Sequence, residues 1–252
     1  MNTAGDGEVL NPQKKDNDQL GYNFMMKNPL VSVIIVVKNG ERYLQNAIDS
    51  ILNQTYSNYE IIVIDGSSTD NTPKIAQSYP QIRYFVQDSK GIANAYNQGI
   101  EVGKGELIAF LSHDDTWTPD KLETQVIYMR EHPEIEYTVA KVNFFLEPGH
   151  SPPSGFRTEL LEGEHIGKIM ETLVVRKTLF EKIGKLNPEF TVAEDVDWFA
   201  RANDAQIPMA VMPKVLLNKR VHDTNLSLNS QQNTQNLLKL IRNSIQRKRQ
   251  LS

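Results

Sequence analysis

Gly105-Glu106-Leu107-Ile108-Ala109-Phe110-Leu111-Ser112-His113-Asp114-Asp115 is the stretch on which the fold turns. Leu107 to Leu111 is an apolar run of strand length that delivers the backbone to two adjacent carboxylates. A Thr116-Trp117-Thr118-Pro119 turn and a helical pattern follow. Short continuous apolar runs mark parallel strands buried on both faces, and the C-terminal ends of such strands are where open α/β sheets bind ligands. Paired carboxylates at that place suit a hard divalent cation on a phosphate, because such ions take oxygen ligands. Asp is also common in turns, so this stretch alone leaves a simple loop cap as the alternative.

Upstream, Val31-Ser32-Val33-Ile34-Ile35-Val36-Val37 is nearly all β-branched, as a central strand should be. Asn39-Gly40 turns the chain into a helix with Tyr43, Leu44, Ala47, Ile48, Ile51 and Leu52 at helical spacing. A second strand, Ile61 to Ile64, ends on Asp65-Gly66-Ser67-Ser68-Thr69-Asp70. Thr72-Pro73 opens a helix at the position where the missing proline N–H does no harm. Ile82 to Val86 is a third strand, and Gly91 to Gly103 a third helix. This alternation predicts an α/β fold: a mostly parallel central sheet with right-handed crossovers, flanked by helices.

Downstream, Thr118-Pro119 starts a helix through Met129, and Ile135 to Phe145 reads as a strand. The Pro/Gly-rich stretch from Glu147 to Gly155 is a loop and marks a change of role along the chain. Leu173 to Val175 is strand-like, Thr178 to Ile183 a short helix, and Ala193 to Ala205 a helix opening on Glu194-Asp195. Val211 to Val221 supplies one or two strands. Residues 231–252 predict an amphipathic helix with Leu237, Ile241 and Ile245 on one stripe and Lys239, Arg242, Arg247, Lys248 and Arg249 opposite. It either docks on the body with a solvated basic face or touches anionic lipid headgroups or a charged partner.

At 252 residues, 39% apolar and 23% charged, the chain can fill one large α/β domain. A net charge of -4 gives no global pull toward nucleic acid. The absence of Cys excludes disulfides and thiolate metal sites. Residues 1–28 are polar, lack the apolar core of a signal peptide, and read as a mobile tail. No apolar run approaches the ~18 residues of a membrane span. The expectation is a cytoplasmic enzyme or binding protein, peripheral to the inner face of the membrane only if the C-terminal helix binds lipid.

With these pieces in place the chain resembles the family-2 glycosyltransferases, which have a Rossmann-like, A-type nucleotide-sugar-binding fold (GT-A). The matching segments are Val31 to Leu44, Ser50 to Tyr56, Glu60 to Asp70, Lys90 to Ile100 and the Asp114-Asp115 stretch. Looser matches are Glu194-Asp195-Val196-Asp197-Trp198-Phe199-Ala200-Arg201 and the Arg-x-His-x-x-Asn-x-Ser ending from Arg220 to Ser227. The family often carries a further Asp two places before the final pair, where this chain has Ser112-His113. The Gln-x-x-Arg-Trp motif and membrane helices of processive synthases are missing from the sequence. The resemblance therefore implies a single domain over 29–230, with a nucleotide-sugar half at about 29–130 and an acceptor half at about 131–230.

It also implies metal-dependent, inverting transfer of one sugar from a nucleoside diphosphate, with UDP first among the candidates. The acceptor class stays open between saccharide, lipid-linked glycan, peptide and small molecule, and the oligomeric state is not indicated. Negative charge grows on the leaving diphosphate, and a divalent cation, Mn²⁺ or Mg²⁺, answers it as a Lewis acid. On the family pattern Asp115 is the direct ligand, His222 touches metal or diphosphate, and Asp114 contacts the ribose or supports the ligand. Asp65 accepts a hydrogen bond from the base, with capping of the following turn as its alternative. Val36, Lys38 and Asn39 wall the base and ribose, and Lys90 is either near the phosphates or simply a surface lysine. Asp195 is the general base and Glu194 its orienting partner. The helix dipole at that position favours the carboxylate form, so a pKa raised for catalysis requires burial. The rival readings are a nucleotide- or glycan-binding module without turnover and a nucleotidyltransferase.

Overall fold

In the computed structural model, which describes residues 28–190, 193–223, 225, 239–240 and 242–248, the run Val31–Val37 is the central strand β1, buried throughout. On one side it pairs in parallel with β2 (Tyr59–Asp65), and β2 pairs in parallel with β3 (Ile82–Val86). On the other side it pairs in parallel with β4 (Leu107–Ser112). Helices α1 (Leu44–Leu52), α2 (Thr72–Gln77) and α3 (Ile92–Val102) connect them. Successive strand side chains point to opposite faces, so β1 feeds two layers. Val33 and Ile35 pack with Leu44, Ile48 and Ile51 of α1, while Ile34 and Val36 pack with Ala93, Tyr96 and Ile100 of α3. That double burial is why the strand tolerates almost no polar residue.

Beyond β4 come β5 (Thr116–Trp117), α4 (Lys121–Glu131), β6 (Tyr137–Leu146), β7 (His165–Gly167) and β8 (Val174–Arg176). The chain then forms α5 (Thr178–Ile183), α6 (Glu194–Asp204) and β9 (Met209–Val221). The sheet order is β3-β2-β1-β4-β8-β6-β9-β5, with β7 on β6. The α/β class stands, and the parallel rhythm covers its first half. Farther on, β8 runs antiparallel to β4 and β6, β9 runs parallel to β6, and β5 runs antiparallel to β9, so the whole sheet is mixed. Thr116–Trp117, expected as a turn, is a short strand on β9. Val211 to Val221 belongs to one 13-residue strand rather than two. Its register against β6 shifts between Met212 and Val215, and Pro213, which has no N–H to give a ladder, sits in that irregularity.

Residues 239–240 and 242–248 are helical. Leu240 is buried with Phe190 and Ala193, whereas Ile245, expected on the docked stripe, is 49% exposed. The basic side chains turn toward the body: Lys239 pairs with Glu189 at 2.7 Å, and Arg247 with Asp204 at 2.9 Å. Leu237, Ile241, Arg249 and the N-terminal tail to residue 27 lie outside the described residues. Among the described residues no helix is long and apolar enough to cross a membrane.

Candidate active site

The C-terminal ends of β1, β2 and β4 lie side by side, with Val37 opposite Asp65 and Val36 opposite Ser112. Each strand therefore releases its following loop at one edge. Asn39 adopts positive φ (52°), its main-chain N–H donates to Ser68 Oγ at 2.7 Å, and its Oδ1 accepts from Thr69 N–H at 2.9 Å. Asp65 is 1% exposed. Its Oδ1 accepts from Ser68 Oγ at 2.6 Å and its Oδ2 from Tyr84 Oη at 2.6 Å. Burial and that carboxylate push the Tyr84 pKa up, so the phenol keeps its proton and goes on donating. Lys38 and Lys90 are exposed, Lys90 in the loop before α3.

The two adjacent aspartates part company. Asp115 is fully buried: its Oδ1 accepts from Arg220 N–H at 2.9 Å and its Oδ2 from Lys219 Nζ at 2.7 Å. Burial pushes its pKa up while the ammonium opposes that shift. Both oxygens are thus engaged by β9. Asp114 instead meets His222, with Oδ2 and Nε2 2.8 Å apart, and Asn225 Nδ2 lies 3.2 Å from the same ring nitrogen. Burial alone would raise Asp114, but the His222 bond and the nearby positive charges hold it well below the usual carboxylate range. Asp114 and His222, rather than Asp115 and His222, are the pair brought together.

The rest of the ending is a clamp. Arg220 lies between the rings of Tyr43 and Phe145, at 4.4 and 4.7 Å. Its Nε donates to Asp114 main-chain O at 3.0 Å, and Glu147 completes an ion pair. His113 lies over Gly40, where a Cβ would come within 2.5 Å of its ring, and burial keeps the imidazole pKa low. Across the edge, Glu194 and Asp195 open α6. Burial first and Asp195 next push Glu194 up to about 8. Burial first and Glu171 next push Asp195 up to about 6, against the depressing pull of the helix dipole. Among the described residues Glu194 Oε2 is buried without a hydrogen-bond partner.

Trp117 and Trp198 are core residues. Trp117 is 3% exposed and donates from Nε1 to Glu171 main-chain O at 3.0 Å. Trp198 is 0% exposed among Tyr137, Phe180 and Phe199. Three site residues escaped the sequence reading: Tyr84, Glu171 and Lys219. Tyr84 could have been found from its place on the strand beside Asp65. Glu171 carries no such signal, lying in a 3₁₀ turn, Met170–Thr172, 59 residues from the Ser112 hydroxyl it accepts.

A family model for glycosyl transferase family 2 matches residues 32–186, more than half of the sequence. The chain belongs to that family. This family-2 transferase is 35% identical over 218 residues to an uncharacterized glycosyltransferase of Rickettsia typhi, covering 80% of this chain and 68% of the relative. It is 30% identical over 188 residues to a putative teichuronic acid biosynthesis glycosyltransferase of Bacillus subtilis, covering 65% of this chain and 74% of that one. The fold is that of A-type glycosyltransferases. The transferase superposes on Staphylococcus aureus TarS 1–349 in complex with UDP with a TM-score of 0.62 at 21% identity, over 76% of this chain and 60% of that one. It superposes on a Pyrobaculum calidifontis mannosyltransferase, in complex with GDP-Man and Mn²⁺, with a TM-score of 0.66 at 17% identity, over 92% of this chain and 72% of that one.

Proposed function

We propose that this transferase moves a single sugar, with inversion, from a nucleoside diphosphate to an acceptor hydroxyl, with UDP as the first nucleotide to test. The meeting of Asp114 and His222 at 2.8 Å, beside the loops of β1 and β2, carries the reading. A carboxylate oxygen and an imidazole nitrogen form a sound donor set for a divalent cation. Among the described residues no third His, Cys, Asp or Glu joins them, so these two would hold a cation together with the donor. Mg²⁺ prefers oxygen ligands throughout, so the imidazole favours Mn²⁺. When bound, such a cation supplies Lewis-acid stabilisation of the leaving diphosphate, worth several kcal/mol. One structural relative, TarS 1–349, carries UDP in one structure and UDP-GlcNAc in another, and the mannosyltransferase carries GDP-Man with Mn²⁺, which supports a nucleotide-sugar and a metal here.

The chain's own residues divide the remaining work. Asp65, fixed by Ser68 and Tyr84, has lone pairs left for an imide N–H of the base. Val36, Lys38 and Asn39 line the base and ribose side, and Lys90 can swing toward the phosphates. Asp195 takes the proton from the acceptor hydroxyl, and Glu194 orients that hydroxyl.

A thermal-shift panel of UDP, GDP, dTDP and CMP with Mn²⁺, Mg²⁺ or chelator tests this. A ligand at about 100 times its Kd stabilises by ~2.7 kcal/mol. The expected result is a Mn²⁺-dependent shift with one diphosphate, abolished in Asp114→Ala and in His222→Ala. A shift with no nucleotide would refute the reading, and a turnover assay with the matching nucleotide-sugar separates transfer from binding alone.

A further inference from the structure

Between the Asp114–His222 pair and the head of α6 lies a polar cluster with no part in the roles assigned so far. Glu171 Oε1 accepts from Ser112 Oγ at 2.6 Å and from Lys219 Nζ at 3.1 Å. Lys219 Nζ also donates to Asp115 Oδ2 at 2.7 Å. The Glu171 backbone is fixed as well, through Trp117 Nε1. Both side chains are largely sunk, at 11% and 18% exposure, and the other Glu171 oxygen takes no hydrogen bond from the described residues. Despite burial, the surrounding carboxylates hold Lys219 above its usual pKa, so the ammonium stays charged.

The cluster is bracketed on both sides. Asp115 ties it to Asp114, the adjacent residue. The Glu171 charge reaches Asp195 and Glu194, raising the pKa of each. Glu194 Oε2, at the same head of α6, is buried with no hydrogen-bond partner among the described residues. A sugar carried on a diphosphate at Asp114 and transferred beside Asp195 would span the interval that Glu171 and Lys219 bridge. An acceptor oxygen and an ammonium already locked by neighbours recognise hydroxyls at little ordering cost.

We propose that Glu171 and Lys219 read the hydroxyl groups of the donor sugar, a pyranose, with Glu171 accepting from one hydroxyl and Lys219 donating to another. The inference rests on the transferase reading above. It makes the two residues determinants of which sugar is carried, independent of the nucleotide.

The test is calorimetric binding with Mn²⁺ of the diphosphate that shifts the wild-type protein, and of its glucose, galactose, mannose and N-acetylglucosamine forms. Glu171→Gln and Lys219→Arg, the latter keeping the positive charge that pairs with buried Asp115, should leave affinity for the bare diphosphate within about twofold. They should weaken the preferred nucleotide-sugar by about 10-fold or more, the worth of one hydrogen bond to a charged group. Ser112→Ala removes the tether on Glu171 together with the Ser112 bond to buried Tyr96, and should give a smaller loss in the same direction. Equal losses for diphosphate and nucleotide-sugar would overturn the inference in favour of simple packing, as would no loss for either. Wild-type protein that binds none of the diphosphates would refute the transferase reading itself, a result distinct from both.

Discussion

Asp195 works against its own position. The first turn of a helix favours a carboxylate, yet burial and the Glu171 charge push it up to about 6. A base near that value is still ionised at neutral pH and retains affinity for a proton. Asp195→Asn should lower kcat by ~10²–10⁴-fold with little change in diphosphate binding. In the unaltered enzyme, kcat/KM should fall as pH drops through about 6, because the protonated group can no longer accept. A profile flat from about pH 5 to 8 would remove Asp195 from the role. The pair Asp114-Asp115 shows what a residue-level reading misses. Neighbouring side chains leave the backbone in different directions, so one turns to the ligand edge and the other to Lys219. Sequence marks that two carboxylates arrive there, and only the β9 contacts decide which of them has both oxygens taken by Lys219 and Arg220.

Elements built on long uniform patterns were legible. β1, β2 and β4 are buried on both faces, and α1 shows its apolar stripe, so each announces itself over at least four residues. β5 and β7, with two and three residues, hold no period, and their pairing depends on partners far along the chain. The loop after β1 offers a test at this scale. A Cβ on Gly40 would stand 2.5 Å from both His113 Cδ2 and Val37 Cγ2. Gly40→Ala should therefore cost about 1–3 kcal/mol, as overpacking does, read as a lowered Tm. Adding His113→Ala should return part of that loss. If the double variant is no more stable than Gly40→Ala alone, the ring is not what limits the space.

Across the whole molecule, stability should carry the mark of the acidic head of α6. Folded Glu194 and Asp195 hold protons up to about 8 and about 6, whereas the unfolded chain releases them near ~4. The folded state thus binds more protons in that window, and stability declines as pH rises from ~4 to ~8. Urea unfolding across that range should show the decline, and Glu194→Gln should flatten its upper part. Raised Asp115 adds to the decline and lowered His113 opposes it, so an equal slope in wild type and Glu194→Gln would contradict the raised Glu194. One more consequence follows from β7. It folds back on β6 with Ala140 opposite Gly167 and Val142 opposite His165, so residues 147–164 leave and return through a two-strand neck. Doubling such an excursion costs only ~0.6 kcal/mol of closure entropy. Evolution, or a protein engineer, can lengthen or exchange the part of this segment beyond Glu147, which pairs with Arg220, while the sheet that carries it is inherited unchanged.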